Sequence, residues 1–227
     1  LKPESVKQVL VIGVPASLTQ VIQPIGIAAL LFIKSLGFRE LGTIAFSIGF
    51  RVEFFAFLPA VGFGFAAMAM IGQNIGAGNL ERAKEVFRKA LKYSFAAAVA
   101  LGLLAMVFAR DIIGIFTTDP KVVEYGLSYI LTVALSYGFI AAGLVEASAF
   151  QALGKSWPGF WIFFIRFFAV SVPLSYALTK VMGFPIFGVW VALVAGNVIS
   201  SAAGYFWISR TLGKIDLKSV PVHPMQE

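Results

Sequence analysis

Apolar residues in this sequence come in long unbroken runs. Val9 to Ile33, Phe54 to Ala77, Tyr125 to Val145 and Val181 to Ser209 contain no charged residue. A helix of roughly 20 such residues crosses about 30 Å of hydrocarbon. Membrane strands are about half as long and alternate apolar with polar positions, and these runs do not alternate. Helices also satisfy their own backbone groups, which lipid requires. The pattern predicts six spans, at about 9–33, 42–73, 86–109, 121–150, 157–179 and 186–209, with a charged amphipathic stretch from Asn79 leading into the third. The fold class is therefore all-α: a bundle of six transmembrane helices over residues 1–213, followed by a polar tail at 214–227.

Local signals mark several edges. Asp119 followed by Pro120 reads as an N-cap with proline at the first helical position, where a missing N–H costs nothing. Asn79 is placed to cap the helix that runs through Glu81 to Lys92. Trp157, Trp161 and Trp207 fall near predicted span ends, as interfacial anchors do. Pro15, Pro24, Pro59 and Pro173 fall inside spans, where each frees a carbonyl and is able to bend its helix.

Composition agrees with lipid as the solvent. Of 227 residues 59% are hydrophobic and 13% charged, against about half and a quarter in a soluble domain. Mean hydropathy is +0.89. There is no cysteine, so disulfides and thiolate sites are excluded, and the single histidine, His223, lies in the tail. No clustered metal-ligand pattern is present, and no metal or cofactor is expected. HExxH, GxSxG, P-loop and dinucleotide motifs are absent, so the chain is not read as an enzyme.

The net charge of +7 reflects topology and not nucleic-acid binding. With six spans both termini lie on one side. That side collects Lys2, Lys7, the five basic residues from Arg82 to Lys92, Lys155, Arg210, Lys214 and Lys218, eleven in all; the other holds Lys34, Arg39, Arg110, Lys121 and Lys180, five. Eleven against five places both termini in the cytoplasm by the positive-inside rule. The chain starts with Leu1 and enters a span within about ten residues, and it is expected to begin at a cut in a longer protein.

Polar residues inside the spans are the candidate chemistry. Gln20 and Gln23 are three apart and share a face of span one; they either hold helices together or line a cavity. Arg51 and Glu53 are two apart in span two, so they do not face each other and each needs a partner elsewhere. Glu146 in span four and Arg166 in span five are candidates for a structural ion pair between consecutive helices. Asn197 in span six is another mid-membrane amide, read first as holding helices together and second as a ligand group. Gln20, Gln23, Glu53 and Asn197 are the candidates for lining a substrate cleft, and Arg51 is an intramembrane charge without an assigned role.

The segment from Ile71 to Ala83 (IGQNIGAGNLERA) resembles the loop after the second helix of each half of MATE transporters. Gly13–Pro15 (GVP), Ile115–Pro120 (IFTTDP), Gln151–Lys155 (QALGK) and Gly183–Trp190 (GFPIFGVW) resemble the same family in the same order, so the likeness runs to about residue 213. It implies one C-terminal six-helix lobe of a twelve-helix, two-lobe transporter in the plasma membrane. It further implies a cleft between lobes, small organic substrates exported by alternating access, and inward flow of H+ or Na+ as the drive. The implied partners are the bilayer and a missing N-terminal lobe. Some branches carry a coupling Glu where this chain has Gln23, and a second acid that matches Ile140 or Ala141; Glu146 is not that position. The resemblance is therefore to branches, archaeal ones among them, whose essential Asp lies in the N-terminal lobe. The alternatives are a flippase for lipids or lipid-linked sugars in the same superfamily, which would want a groove rich in Lys and Arg, and a structural or assembly membrane protein.

Overall fold

The computed structural model describes the backbone of residues 3–214 and, within them, all side chains but those of residues 3–5, 7–9, 33–39 and 56. From residue 215 on, the expected polar tail lies outside the described residues. The helices are α1 (Pro3–Gly76), α2 (Leu80–Val107), α3 (Ala109–Phe116), α4 (Pro120–Val133), α5 (Tyr137–Ala152), α6 (Trp157–Phe164), α7 (Val172–Tyr176) and α8 (Phe187–Gly213). A 3₁₀ turn at Ala134–Ser136 joins α4 to α5, and π-helical turns at Ile165–Ser171 and Ala177–Val181 flank α7.

Among the described residues six helical stretches are long and apolar enough to cross a membrane: Leu10–Phe32, Phe57–Gly76, Leu80–Val107, Pro120–Ala152, Trp157–Val181 and Phe187–Gly213. Their number and order are as expected, but the second begins at Phe57, where about residue 42 was expected. α1 holds the first two. A straight 74-residue helix would be about 110 Å long. Yet Ile12 and Gly72 both lie against the corner at residues 152–154: a Cβ at Gly154 would stand 4.0 Å from Ile12, and one at Gly72 would stand 3.9 Å from the Ala152 carbonyl oxygen. α1 therefore folds back, and its two spans run antiparallel with residues 20–27 beside residues 50–57.

The corners follow from local chemistry. Gly78 and Gly154 hold left-handed φ angles of 74° and 70°, which favour glycine. The Asn79 side chain accepts a hydrogen bond from the Arg82 N–H at 3.2 Å, and Asp119 accepts from Lys121 and Val122 at 2.9 and 3.2 Å behind Pro120. Both caps are as the sequence predicts. The end of the bundle holding the 76–80 and 152–157 corners, with Arg82 to Lys92 and Lys155, is called the basic end below; the other is the far end.

Span four is the axis. Its apolar stretch is 72% buried, against 22% in each of the first three. Where it breaks at Ala134–Ser136, Asn197 Nδ2 of α8 donates to Ser136 Oγ at 2.8 Å, so an amide bridges the two most buried spans. Helices cross closely at small residues. A Cβ at Gly196 would stand 2.6 Å from the Arg166 carbonyl oxygen, and one at Gly102 would stand 2.7 Å from that of Ala134. Toward the far end Tyr129 and Trp190 meet edge-on at 4.9 Å, with Phe46 stacked on Trp190 at 6.0 Å. Pro173 follows the first π-turn. Its missing N–H and its ring suit a widened, re-registered turn, and π-turns mark functional sites often.

Candidate functional site

The folded-back halves of α1 leave a cavity of about 310 Å³ between them and spans four and five. Gln20, Gln23 and Pro24 line one side; Phe50, Phe54 and Phe57 line the other. These positions follow helical spacing, so each half of α1 presents one face to the cavity. Glu53 and Arg166 lie at its inner wall with Ile140 and Phe167.

Glu53 is a buried carboxylate held from two sides. Tyr129 O–H donates to its Oε2 at 2.6 Å, and Arg166 Nη2 donates to its Oε1 at 3.4 Å. The Arg166 guanidinium lies 4.7 Å from the centre of the Phe167 ring, and its Nε has no partner. The Glu53 and Arg166 side chains are 10% and 8% exposed, so this is a pair inside the bundle with a little access from the cavity. The Tyr137 hydroxyl, also buried and unpartnered, joins Glu53, Phe57 and Ile140 around a small adjoining void.

A second cavity of about 230 Å³ continues toward the basic end. Gln20 and Gln23 line it too, together with Ser17, Ser148 and Gln151. One face of span one therefore carries amides along both spaces, apolar-walled around Glu53 and polar toward Gln151.

The expected pair of Glu146 with Arg166 is not formed. Arg166 turns to Glu53 instead, and Glu146 faces span six, where Ser201 Oγ donates to its Oε1 at 3.2 Å. Its Oε2 has no partner and lies against Gly204. The reason is that α5 is buried on nearly every side, so its sequence carries no polar face to say which neighbour an acid meets. The Glu53–Arg166 ion pair brings the two side chains together across the bundle.

Asn197 does not line either cavity. It is 1% exposed and serves the bridge to Ser136. Gln20 and Gln23 do line the cavity, as does Glu53. Arg51 and Glu53 face apart, as their spacing requires: Arg51 is exposed and lies 5.8 Å from the centre of the Phe116 ring. Tyr129 and Tyr137 had no signal in the sequence. Their hydroxyls gain meaning only from Glu53, which is 76 residues from Tyr129.

The sequence profile of the MatE family matches residues 15–177. A probable multidrug resistance protein, NorM of Thermotoga maritima, is 26% identical over 200 residues, covering 88% of this chain and 43% of that protein. A FAD transporter of Shewanella oneidensis is 27% identical over 199 residues, covering 88% of this chain and 43% of its own length. The chain thus spans less than half the length of these relatives. A solved MOP superfamily transporter from Pyrococcus furiosus superposes with a TM-score of 0.90 at 22% identity, over 96% of this chain and 49% of that one.

Proposed function

This chain belongs to the MATE family, and we propose that it forms one half of a secondary active exporter of organic, often cationic, compounds, driven by H+ or Na+ through alternating access. The observation that supports this most is the cavity between the halves of α1: phenylalanine walls, two amides and a polar continuation toward the basic end. Pockets of this make-up hold drug-sized apolar molecules and orient them by a few polar groups. Phe50, Phe54 and Phe57 offer ring faces to a flat cation, and Gln20 and Gln23 offer hydrogen bonds without charge.

Glu53 is engaged by Arg166 and Tyr129, and Gln23 has no proton to exchange. In this proposal the coupling carboxylate therefore belongs to the other half of the full-length transporter, and this half supplies shape and amides. A flippase for phosphate-bearing lipids is less well supported, because the one cation lining the cavity, Arg166, is matched by Glu53. The Lys and Arg count supports the basic end as cytoplasmic.

The test is efflux of a cationic dye from cells expressing the full-length transporter. Gln23→Ala is expected to slow efflux several-fold while leaving its dependence on the ion gradient intact. Absence of efflux under both an H+ and a Na+ gradient would overturn the reading, and loss of gradient dependence in Gln23→Ala would move the coupling site into this half.

A further inference from the structure

The second span has two working faces. Phe50, Glu53, Phe54 and Phe57 line the cavity described above, whereas Arg51, Val52 and Phe55 lie on the opposite side of the same helix. On that opposite side a separate groove of about 380 Å³ runs between span two, the far end of α2 and the short helix α3. Its walls are apolar, with Leu101, Leu104 and Phe108 from the α2 side and Ile112, Ile115 and Phe116 from α3. Several of these are largely exposed, Ile115 to 79% and Leu104 to 54%.

Arg51 is the one charged residue among the groove's lining residues. It is exposed, and none of the ion pairs among the described residues involves it. Its guanidinium lies near the Phe116 ring, at the boundary helix that closes the far end. Arg110 and Asp111, the charged residues of α3, are not among those lining the groove. A cation left in the lipid-facing zone of a span is costly unless something anionic meets it or it reaches the headgroup layer. Arg51 lies outside the Phe57–Gly76 stretch, and no ion pair among the described residues meets it.

We propose that Arg51 and this groove form a binding site for a membrane phospholipid, with the lipid phosphate on the guanidinium and an acyl chain along the apolar walls. The occupant follows from the chemistry. Guanidinium binds a phosphate through paired charge-assisted hydrogen bonds. The groove lies on the side of the helix away from the cavity described above, and its walls are apolar, as an acyl chain requires. The consequence is coupling through one helix: a lipid seated on Arg51 bears on the same turn that carries Glu53 on its other face. A phospholipid-dependent change in the position of span two would then reach the Glu53–Arg166 pair directly.

The test is native mass spectrometry of the delipidated protein in mild detergent, titrated with phosphatidylglycerol and, separately, with diacylglycerol of the same chains. One phosphatidylglycerol is expected to bind more tightly than the rest. Arg51→Ala is expected to weaken that first event about tenfold or more, the range for a lost charge-assisted bond. Arg51→Lys should fall between, and Arg110→Ala should bind as the unaltered protein does. Leu104→Trp, which fills the groove and leaves the charge in place, should weaken binding to a similar degree, so the result does not rest on one variant folding. Diacylglycerol should not distinguish Arg51→Ala from the unaltered protein. Equal phosphatidylglycerol binding by Arg51→Ala and the unaltered protein would overturn the proposal, as would equal weakening by Arg51→Ala and Arg110→Ala.

Discussion

Removing both partners of the Glu53–Arg166 pair should cost markedly less than the two single removals added together. At 3.4 Å and an effective dielectric of about 20, the attraction between the two charges is about 5 kcal/mol. Desolvation of two buried ions offsets much of this, so the pair adds little net stability as a unit. The asymmetry appears when one charge is left alone. Arg166→Met leaves the Glu53 carboxylate with only the Tyr129 hydroxyl. Glu53→Gln leaves a buried guanidinium whose Nε already has no partner. Each single change is expected to destabilise by about 3–5 kcal/mol. The double variant Glu53→Gln/Arg166→Met should lose markedly less than the sum, with a coupling of about 2–3 kcal/mol. The assay is reversible denaturant unfolding in detergent micelles for the four proteins of the cycle. Additive losses, to within about 0.5 kcal/mol, would refute the reasoning and show that the two side chains do not act as a pair.

Four further outcomes follow from the packing. Tyr129→Phe keeps the ring against Trp190 but removes the 2.6 Å bond to Glu53, and should lower unfolding stability by about 1.5–3 kcal/mol; an unchanged value would show that the bond carries no weight. Gly196→Ala places a methyl group against the Arg166 backbone carbonyl, which cannot rotate aside, and should cost about 1–3 kcal/mol. Gly62→Ala, with open space around it, should be neutral or mildly stabilising in the same melt. Glu146→Gln keeps the acceptor for Ser201 and removes a carboxyl that has no cation beside it among the described residues, so its stability should match or exceed the unaltered protein at neutral pH. A loss above about 2 kcal/mol would show that Glu146 has a charged partner after all.

The element pattern was legible because lipid imposes a length rule. Spans one and four show it: uncharged runs of the required length appear as helices where they were expected, and the Asn79 and Asp119 caps were readable from residue type and spacing alone. Gln20 and Gln23 were placed on one face by the same geometry, and both line the cavity. Partner choice was not legible. An acid in a helix buried on all sides, such as Glu146, has no periodicity to aim it, and consecutive helices are not obliged to pair their charges. Arg166 reaches back 113 residues to Glu53, a contact that depends on α1 folding back and on the π-turn that carries Arg166. Asn197 was readable as an amide that holds helices together, but its partner was not: nothing in the sequence points to Ser136, 61 residues away.

The chain's lack of cysteine offers the most direct test of the cavity as a substrate path. Single cysteines at Gln23 and Asn197, in the full-length transporter made otherwise free of cysteine, are treated in membranes with a charged, water-soluble thiol reagent, with and without a cationic substrate dye. The account predicts that Gln23→Cys reacts and that the dye protects it, whereas Asn197→Cys, shut between spans four and six, does not react. Equal reactivity at the two positions, or a reactive Gln23→Cys that no dye protects under an ion gradient, would contradict it.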